Sequence, residues 1–213
     1  IDMDAGVTTT THTPDNLLGG SAPPSVTETV TIFSGEGALS RGQLLGKIDR
    51  AAGAPDGTGN TGNGTMTAVS LGLAARKGTY VVECIAAAAD SGTFKVVDPE
   101  GYAIDAQATV GAAFTSGHLN FTINDGATDF IVGDKFTIEV GAGSGKYRAY
   151  SAASTDGSQR PVAILAADVD ATAADKVASV YLAGCFNAAS VTGYAAVLKS
   201  ALRQLGIYIK PIS

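Results

Sequence analysis

The chain is expected to fold as a mainly β protein with one C-terminal helix, and three features of the sequence carry that expectation. Apolar runs of strand length recur along it, separated by clusters of Gly, Pro, Asn and Asp. The composition is Ala/Gly/Thr/Val-rich, of a kind common in assembling shell proteins and adhesive modules: 27 glycines and 45% hydrophobic residues, but no Trp and only 7% aromatics. An apolar stripe at three- and four-residue spacing occurs at one place, residues 192–205. With 213 residues there is enough chain to bury a core.

Residues 1–25 have no apolar period, and a Thr run, Gly19-Gly20 and Pro23-Pro24 break regular structure. Such a segment cannot bury enough surface to fold alone, so it is either a tail or an extended arm that orders on binding. Residues 26–33, VTETVTIF, alternate as a β-strand does, with Val26, Glu28, Val30 and Ile32 on one side and Thr27, Thr29, Thr31 and Phe33 on the other. Gly35-Glu36-Gly37 turns the chain, and RGQLLGKI (41–48) carries a further turn and a short strand.

Residues 55–143 read as a separate β-sandwich-like insert between glycine-rich linkers at 55–64 and 141–145. Strands are expected at 66–71, 79–86, 93–97, 118–123 and 135–140, with Asp90-Ser91-Gly92, Pro99-Glu100-Gly101, Asn124-Asp125-Gly126 and Val132-Gly133-Asp134 turning the chain. The competing picture is one continuous larger β domain. Further on, 161–165 and 178–182 read as two buried strands.

The helix is expected over 192–205, with Val191, Ala195, Leu198, Ala201, Leu202 and Leu205 on its apolar stripe. Thr192 or Ser190 can cap its start, Lys199 and Arg203 suit its C-terminal end, and Gly206 suits a left-handed stop. Val191, Ala195, Leu198, Leu202 and Leu205 are expected to be structural core. Ile207-Tyr208-Ile209 reads as a closing strand.

Charge narrows the function classes. There are 14 basic and 20 acidic residues, a net charge of −6, and no basic run exceeds Arg76-Lys77. Gripping phosphates needs a basic stripe, so nucleic-acid binding is disfavoured. No apolar run approaches the ~18–20 residues of a membrane span. No charged segment followed by an apolar one opens the chain, so no secretory signal is expected. Cys84 and Cys185, about a hundred residues apart in apolar runs, are expected to be free and buried, with a disulfide as the alternative.

Motifs that look like chemistry do not have the surroundings that chemistry needs. Gly57 to Gly62 matches GxGxxG, but Pro55-Asp56 precede it and a β-run follows, where a dinucleotide site needs a strand and then a helix. GAGSGK (141–146) is one residue short of a phosphate loop, and Tyr147 stands where Ser or Thr should bind magnesium. Both are expected to be linkers. Asp168, Asp170 and Asp175 lack the Gly and Glu of a calcium loop, Ala173 and Ser179 standing there instead, so a solvated turn is expected. His12 and His118 are isolated in sequence, and no GxSxG elbow occurs. No catalytic residue, metal site or cofactor is expected.

The segments ETVTIFSGEGALSRGQLLGKI (28–48), YRAYSAASTDGSQRPVAILAADVDATAADK (147–176), VYLAGCFN (180–187) and LKSALRQLGIYIK (198–210) resemble the head decoration proteins of tailed bacteriophages, the lambda-like family. The resemblance covers residues 26–48 and 146–210. It implies a small β-barrel-like (β-tulip) decoration domain built from 26–54 and 144–213, interrupted by the insert at 55–143. It further implies a cement protein seated as a homotrimer on the exterior of the expanded head, made in the host cytoplasm, with the major capsid protein as partner. Residues 1–25 would then be the capsid-binding arm, and the residues expected to contact the capsid are Thr13, Pro14, Leu17, Leu18, Val26, Thr27 and Thr29.

Two other classes stay open. A host-attachment or carbohydrate-binding module would reside in the insert and take a host-surface ligand. Its aromatics Tyr80, Phe94, Tyr102, Phe114, Phe121, Phe130 and Phe136 include no Trp platform, and most lie in apolar runs where burial is expected. A tail-tube or fibre subunit would also be symmetric and β-rich.

Overall fold

The computed structural model describes residues 16–212, and it is mainly β with one short C-terminal helix. Four strands precede the insert: β1 (Leu18–Gly20), β2 (Val26–Ile32), β3 (Ala38–Leu39) and β4 (Leu44–Lys47). Eight follow within it: β5 (Arg50–Ala52), β6 (Thr65–Leu71), β7 (Gly78–Ala88), β8 (Ser91–Val97), β9 (Ala103–Thr109), β10 (Ala113–Thr115), β11 (Leu119–Asn124) and β12 (Lys135–Ala142). The chain then returns through β13 (Tyr147–Ala149), β14 (Pro161–Leu165), β15 (Val169–Asp170) and β16 (Lys176–Asn187), and ends with helix α1 (Lys199–Gln204) and β17 (Ile207–Lys210).

The outer segments make one seven-stranded sheet in the order β1-β16-β14-β4-β13-β2, with β17 also on β16. Strand β2 pairs back onto β16 along its whole length, so the sheet curls on itself. It does not become a closed barrel. Where β2 meets β13 the ladder is one residue pair, Tyr147 opposite Ile32, extended by the Phe33 amide donating to the Tyr147 carbonyl at 2.8 Å.

Both faces of the middle strands are covered, which explains their unbroken apolar runs. On β4 and β14, Leu44 and Ile164 pack with Leu17, Phe186, Val191, Leu202 and Ile207, while Leu45, Ala163 and Leu165 pack with Val30, Ile32 and Val180. The turn after β2 is tied to β13 by a nearly buried Glu36. Its carboxylate accepts the Ala149 amide (2.9 Å) and pairs with the Arg148 guanidinium (3.0 Å).

The insert forms a five-stranded sheet, β5-β12-β7-β8-β9, and a three-stranded one, β10-β11-β6. Alternate residues of β7, β8, β11 and β12 fill one core drawn only from residues 52–140, as the period of a half-buried strand requires. Phe130 is its hub, with its ring edge-on to Phe94 at 5.2 Å and to Phe136 at 5.8 Å. The insert's sheet begins at Arg50, upstream of the boundary expected at residue 55.

The expected linkers are packed structure. Asp56 exchanges backbone hydrogen bonds with Thr137, and a Cβ on Gly62 would stand 2.6 Å from the Phe130 ring. Gly141 and Ala142 belong to β12. The passage between the two parts is instead at Ile48 and Gly145, whose amide donates to the Ile48 carbonyl at 2.9 Å. Strands β9 and β10 were not anticipated, because AIDAQAT and AFT are poor in β-branched residues.

The helix is much shorter than the stripe over 192–205. Thr192 accepts from the Leu44 amide and donates to Gly42, so it continues the sheet, and Gly193 at φ +84° then turns the chain away. A 3-10 turn at Ala196–Leu198 leads into α1, which Gly206 ends at φ +82°. Val191 and Leu202 are buried and Leu198 is half-buried against them. Ala195 is exposed, and Leu205, at the C-cap of so short a helix, is 47% exposed.

Candidate functional site

Among the residues expected to bind a capsid, Thr13 and Pro14 lie outside the described residues. Leu17 is 2% exposed and packs in the core beside Phe186, and its carbonyl accepts the Asn187 amide at 2.9 Å. Its side chain is therefore an anchor, unavailable to a partner. Leu18 is half-buried in β1, paired opposite Phe186. The segment from Leu17 to Gly20, expected to be part of an arm over residues 1–25, is thus woven into the sheet.

Val26, Thr27 and Thr29 are all exposed on β2. On one side their strand pairs with β16, Thr29 opposite Ser179, Thr27 opposite Tyr181 and Val26 opposite Ala183. On the other side the ladder to β13 begins only at Ile32. Among the described residues, the main-chain groups of β2 that point outward before Ile32 have no strand partner. An open edge of this kind is a template for a strand from another chain. Val26, at 51% exposure, supplies an apolar contact at its start.

The loops that mimic catalytic motifs have their polar groups engaged within the fold. In the stretch 57–62, the amides of Thr61 and Gly62 donate to the Asp134 carboxylate at 2.8 and 2.9 Å, and the Thr58 amide donates to Asp56. The N–H groups a phosphate would need are occupied by carboxylates. Burial pushes the Asp134 carboxyl up, but the amides of Thr61, Gly62 and Ile131 outweigh it and hold it below its ordinary value. Lys146, at the end of GAGSGK, pairs with Asp175 at 2.6 Å.

Asp168, Asp170 and Asp175 do not converge on one point; each secures a different loop, through the amides of Arg41, Thr172 and Ser34 respectively. Cys84 and Cys185 are free and buried, in the insert and in the curled sheet. His12 lies outside the described residues, and His118 Nδ1 is 3.1 Å from the Tyr80 hydroxyl. One carboxylate grouping, Asp90, Asp125 and Asp129, was missed because its members are up to 39 residues apart. All three are exposed, and Asp129 accepts the Asp90 amide. Among the described residues no helix is long and apolar enough to cross a membrane.

Comparison with curated proteins finds no match. Two crystal structures of Xanthomonas campestris FlgL, in space groups H3 and C2, share 22% and 23% identity over 51% and 52% of this chain and 33% of theirs, each with a TM-score of 0.32. The chain thus spans about a third of those proteins, and the superposition is too loose to define a shared fold. The family model of bacteriophage lambda head decoration protein D matches residues 6–207, taking in the curled sheet, its open β2 edge and the insert. That match covers nearly the whole length, and the chain belongs to the bacteriophage lambda head decoration protein family.

Proposed function

We propose that this protein is a capsid cement, binding the exterior of an expanded phage head as a homotrimer and stabilising it. The family match from residue 6 to residue 207 carries this reading. The open edge of β2, with Val26, Thr27 and Thr29, supports it by offering main-chain groups to the major capsid protein. Residues ahead of Leu17 act as the arm that adds a strand to a capsid sheet.

The chain divides into a discontinuous decoration domain, residues 1–49 and 144–213, and an inserted domain, residues 50–143. Separate hydrophobic cores and the absence of any strand pairing between the two among the described residues support the division. Each arm contact is individually weak, and three arms on one trimer multiply it. Cementing follows by mass action, because a ligand that prefers the expanded lattice stabilises that lattice.

The test uses purified expanded heads lacking decoration. Added protein should co-sediment with them and raise their resistance to rupture by heat or chelator. Equal rupture thresholds for bare heads and heads saturated with protein would overturn the cementing role. Failure to sediment with heads at all would overturn the decoration role.

A further inference from the structure

We propose that the insert carries a binding site for a neutral saccharide, in the open cleft of about 390 Å³ beside Tyr102. The site is independent of the cement reading, since every residue that lines it belongs to the insert. It begins with a turn. Asp98, only 7% exposed, accepts the amides of Glu100 (3.0 Å) and Tyr102 (2.8 Å) on one carboxylate oxygen. Its own amide donates to the Tyr102 carbonyl at 2.8 Å, and Gly101 closes the turn onto the Asp98 carbonyl at 3.0 Å.

This fixed turn holds the Tyr102 ring in solvent at 69% exposure, whereas Tyr80, Phe94, Phe114, Phe121, Phe130 and Phe136 are each at most 5% exposed. An aromatic face left in water on a rigid support loses little conformational entropy when it is covered. It offers a flat apolar surface with negative potential, suited to the C–H face of a pyranose ring.

Polar groups stand around that ring. Arg76 pairs with Glu100 and lies 3.9 Å from Asp98, placing a guanidinium and two carboxylates on the cleft wall. His118 completes the wall, its ring edge-on to Tyr80. The Tyr80 hydroxyl accepts the Arg76 amide at 2.9 Å and lies 3.1 Å from His118 Nδ1.

The guanidinium donors of Arg76, the carboxylate acceptors of Asp98 and Glu100 and the imidazole of His118 match hydroxyl groups, each of which both donates and accepts. One cation against two carboxylates disfavours an anionic ligand, and the polar wall disfavours a purely apolar one. A cleft of this size is at the small end of ligand pockets, about 300–1,000 Å³, so it accommodates one or two sugar rings. A single platform implies weak affinity per site, which repetition on a surface would multiply.

The test is an NMR titration of the intact, isotope-labelled protein with tetrasaccharides of glucose, mannose, galactose and N-acetylglucosamine. At least one should shift the amide signals of Glu100, Gly101 and Tyr102 and the His118 ring signals saturably. Tyr102→Ala should weaken that binding by about tenfold, from lost stacking and contact area, with the melting temperature unchanged because the side chain is exposed. Tyr102→Phe should keep most of it. No movement of these signals with any neutral sugar at millimolar concentration overturns the proposal. So does equal binding by wild type and Tyr102→Ala, or a response to a sulfated or uronic-acid sugar alone.

Discussion

The Asp134 carboxylate, 5% exposed, accepts the backbone amide of Gly62 at 2.9 Å across seventy-two residues of chain, and its other oxygen accepts that of Thr61 at 2.8 Å. This contact locks the glycine-rich entry of the insert against the loop that bears Phe130. Asp134→Asn should lower the stability of the insert by about 2–4 kcal/mol, since buried amides lose a charged acceptor. The native carboxyl titrates below its ordinary value of 3.8, so its contribution is complete above that value and is lost as pH falls through the folded one. The variant should therefore lose less stability than wild type on acidification. Denaturant melts at neutral pH and near pH 3 measure both effects; identical pH dependence in the two proteins would rule out this carboxylate as a source.

Helix α1 buries one leucine and exposes another, and the two should behave differently. Leu202 is fully buried, and Leu202→Ala should cost about 2–5 kcal/mol. Leu205 is 47% exposed at the C-cap, and Leu205→Ala should stay within about 0.5 kcal/mol. Calorimetric melts of both variants check this. A large loss for Leu205→Ala with the oligomeric state unchanged would place that side chain at a subunit interface.

Most strands were legible because alternation survives in them. TYVVEC and KFTIEV show one buried face each, VTETVTIF shows one only at Val30 and Ile32, and their boundaries fall within a few residues of those observed. Strand β9 was hidden because Ala, Asp and Gln do not announce a pleated surface. The helix was overextended because the stripe from Val191 to Leu205 mixes two environments: Val191 packs from a sheet-like segment, and Leu202 packs from a helix. A periodicity count cannot see that Thr192 is hydrogen-bonded to Gly42 and Leu44.

The surface features were less legible for a different reason. That Leu17 is an anchor depends on Phe186, and that Tyr102 is exposed depends on Asp98 securing its turn. The position of Tyr102 directly after Pro99-Glu100-Gly101, outside any alternating run, was the available sequence signal.

Excision of the insert tests the domain division. Because the Gly145 amide meets the Ile48 carbonyl at 2.9 Å, joining Asp49 to Ser144 through two glycines spans the gap without strain. The shortened protein should keep its β circular dichroism, its oligomeric state by analytical ultracentrifugation and its head binding. An unfolded product would mean that the two parts depend on one another for stability.

Two truncations separate the arm from the sheet. Removing residues 1–15 leaves Leu17 in its core and β1 on β16, so the melting temperature should hold within a few degrees. Removing residues 1–25 takes Leu17 as well, and burial of that side chain alone accounts for about 2–5 kcal/mol, so this form should melt markedly lower. Both should lose binding to expanded heads, but for different reasons: the shorter deletion as a folded protein without its arm, the longer one also through lost stability. Pull-down with heads and calorimetry on the same samples distinguish them. If the protein lacking residues 1–15 binds heads as tightly as the full chain, strand addition by the arm is excluded, and the exposed edge of β2 at Val26, Thr27 and Thr29 becomes the surface to mutate.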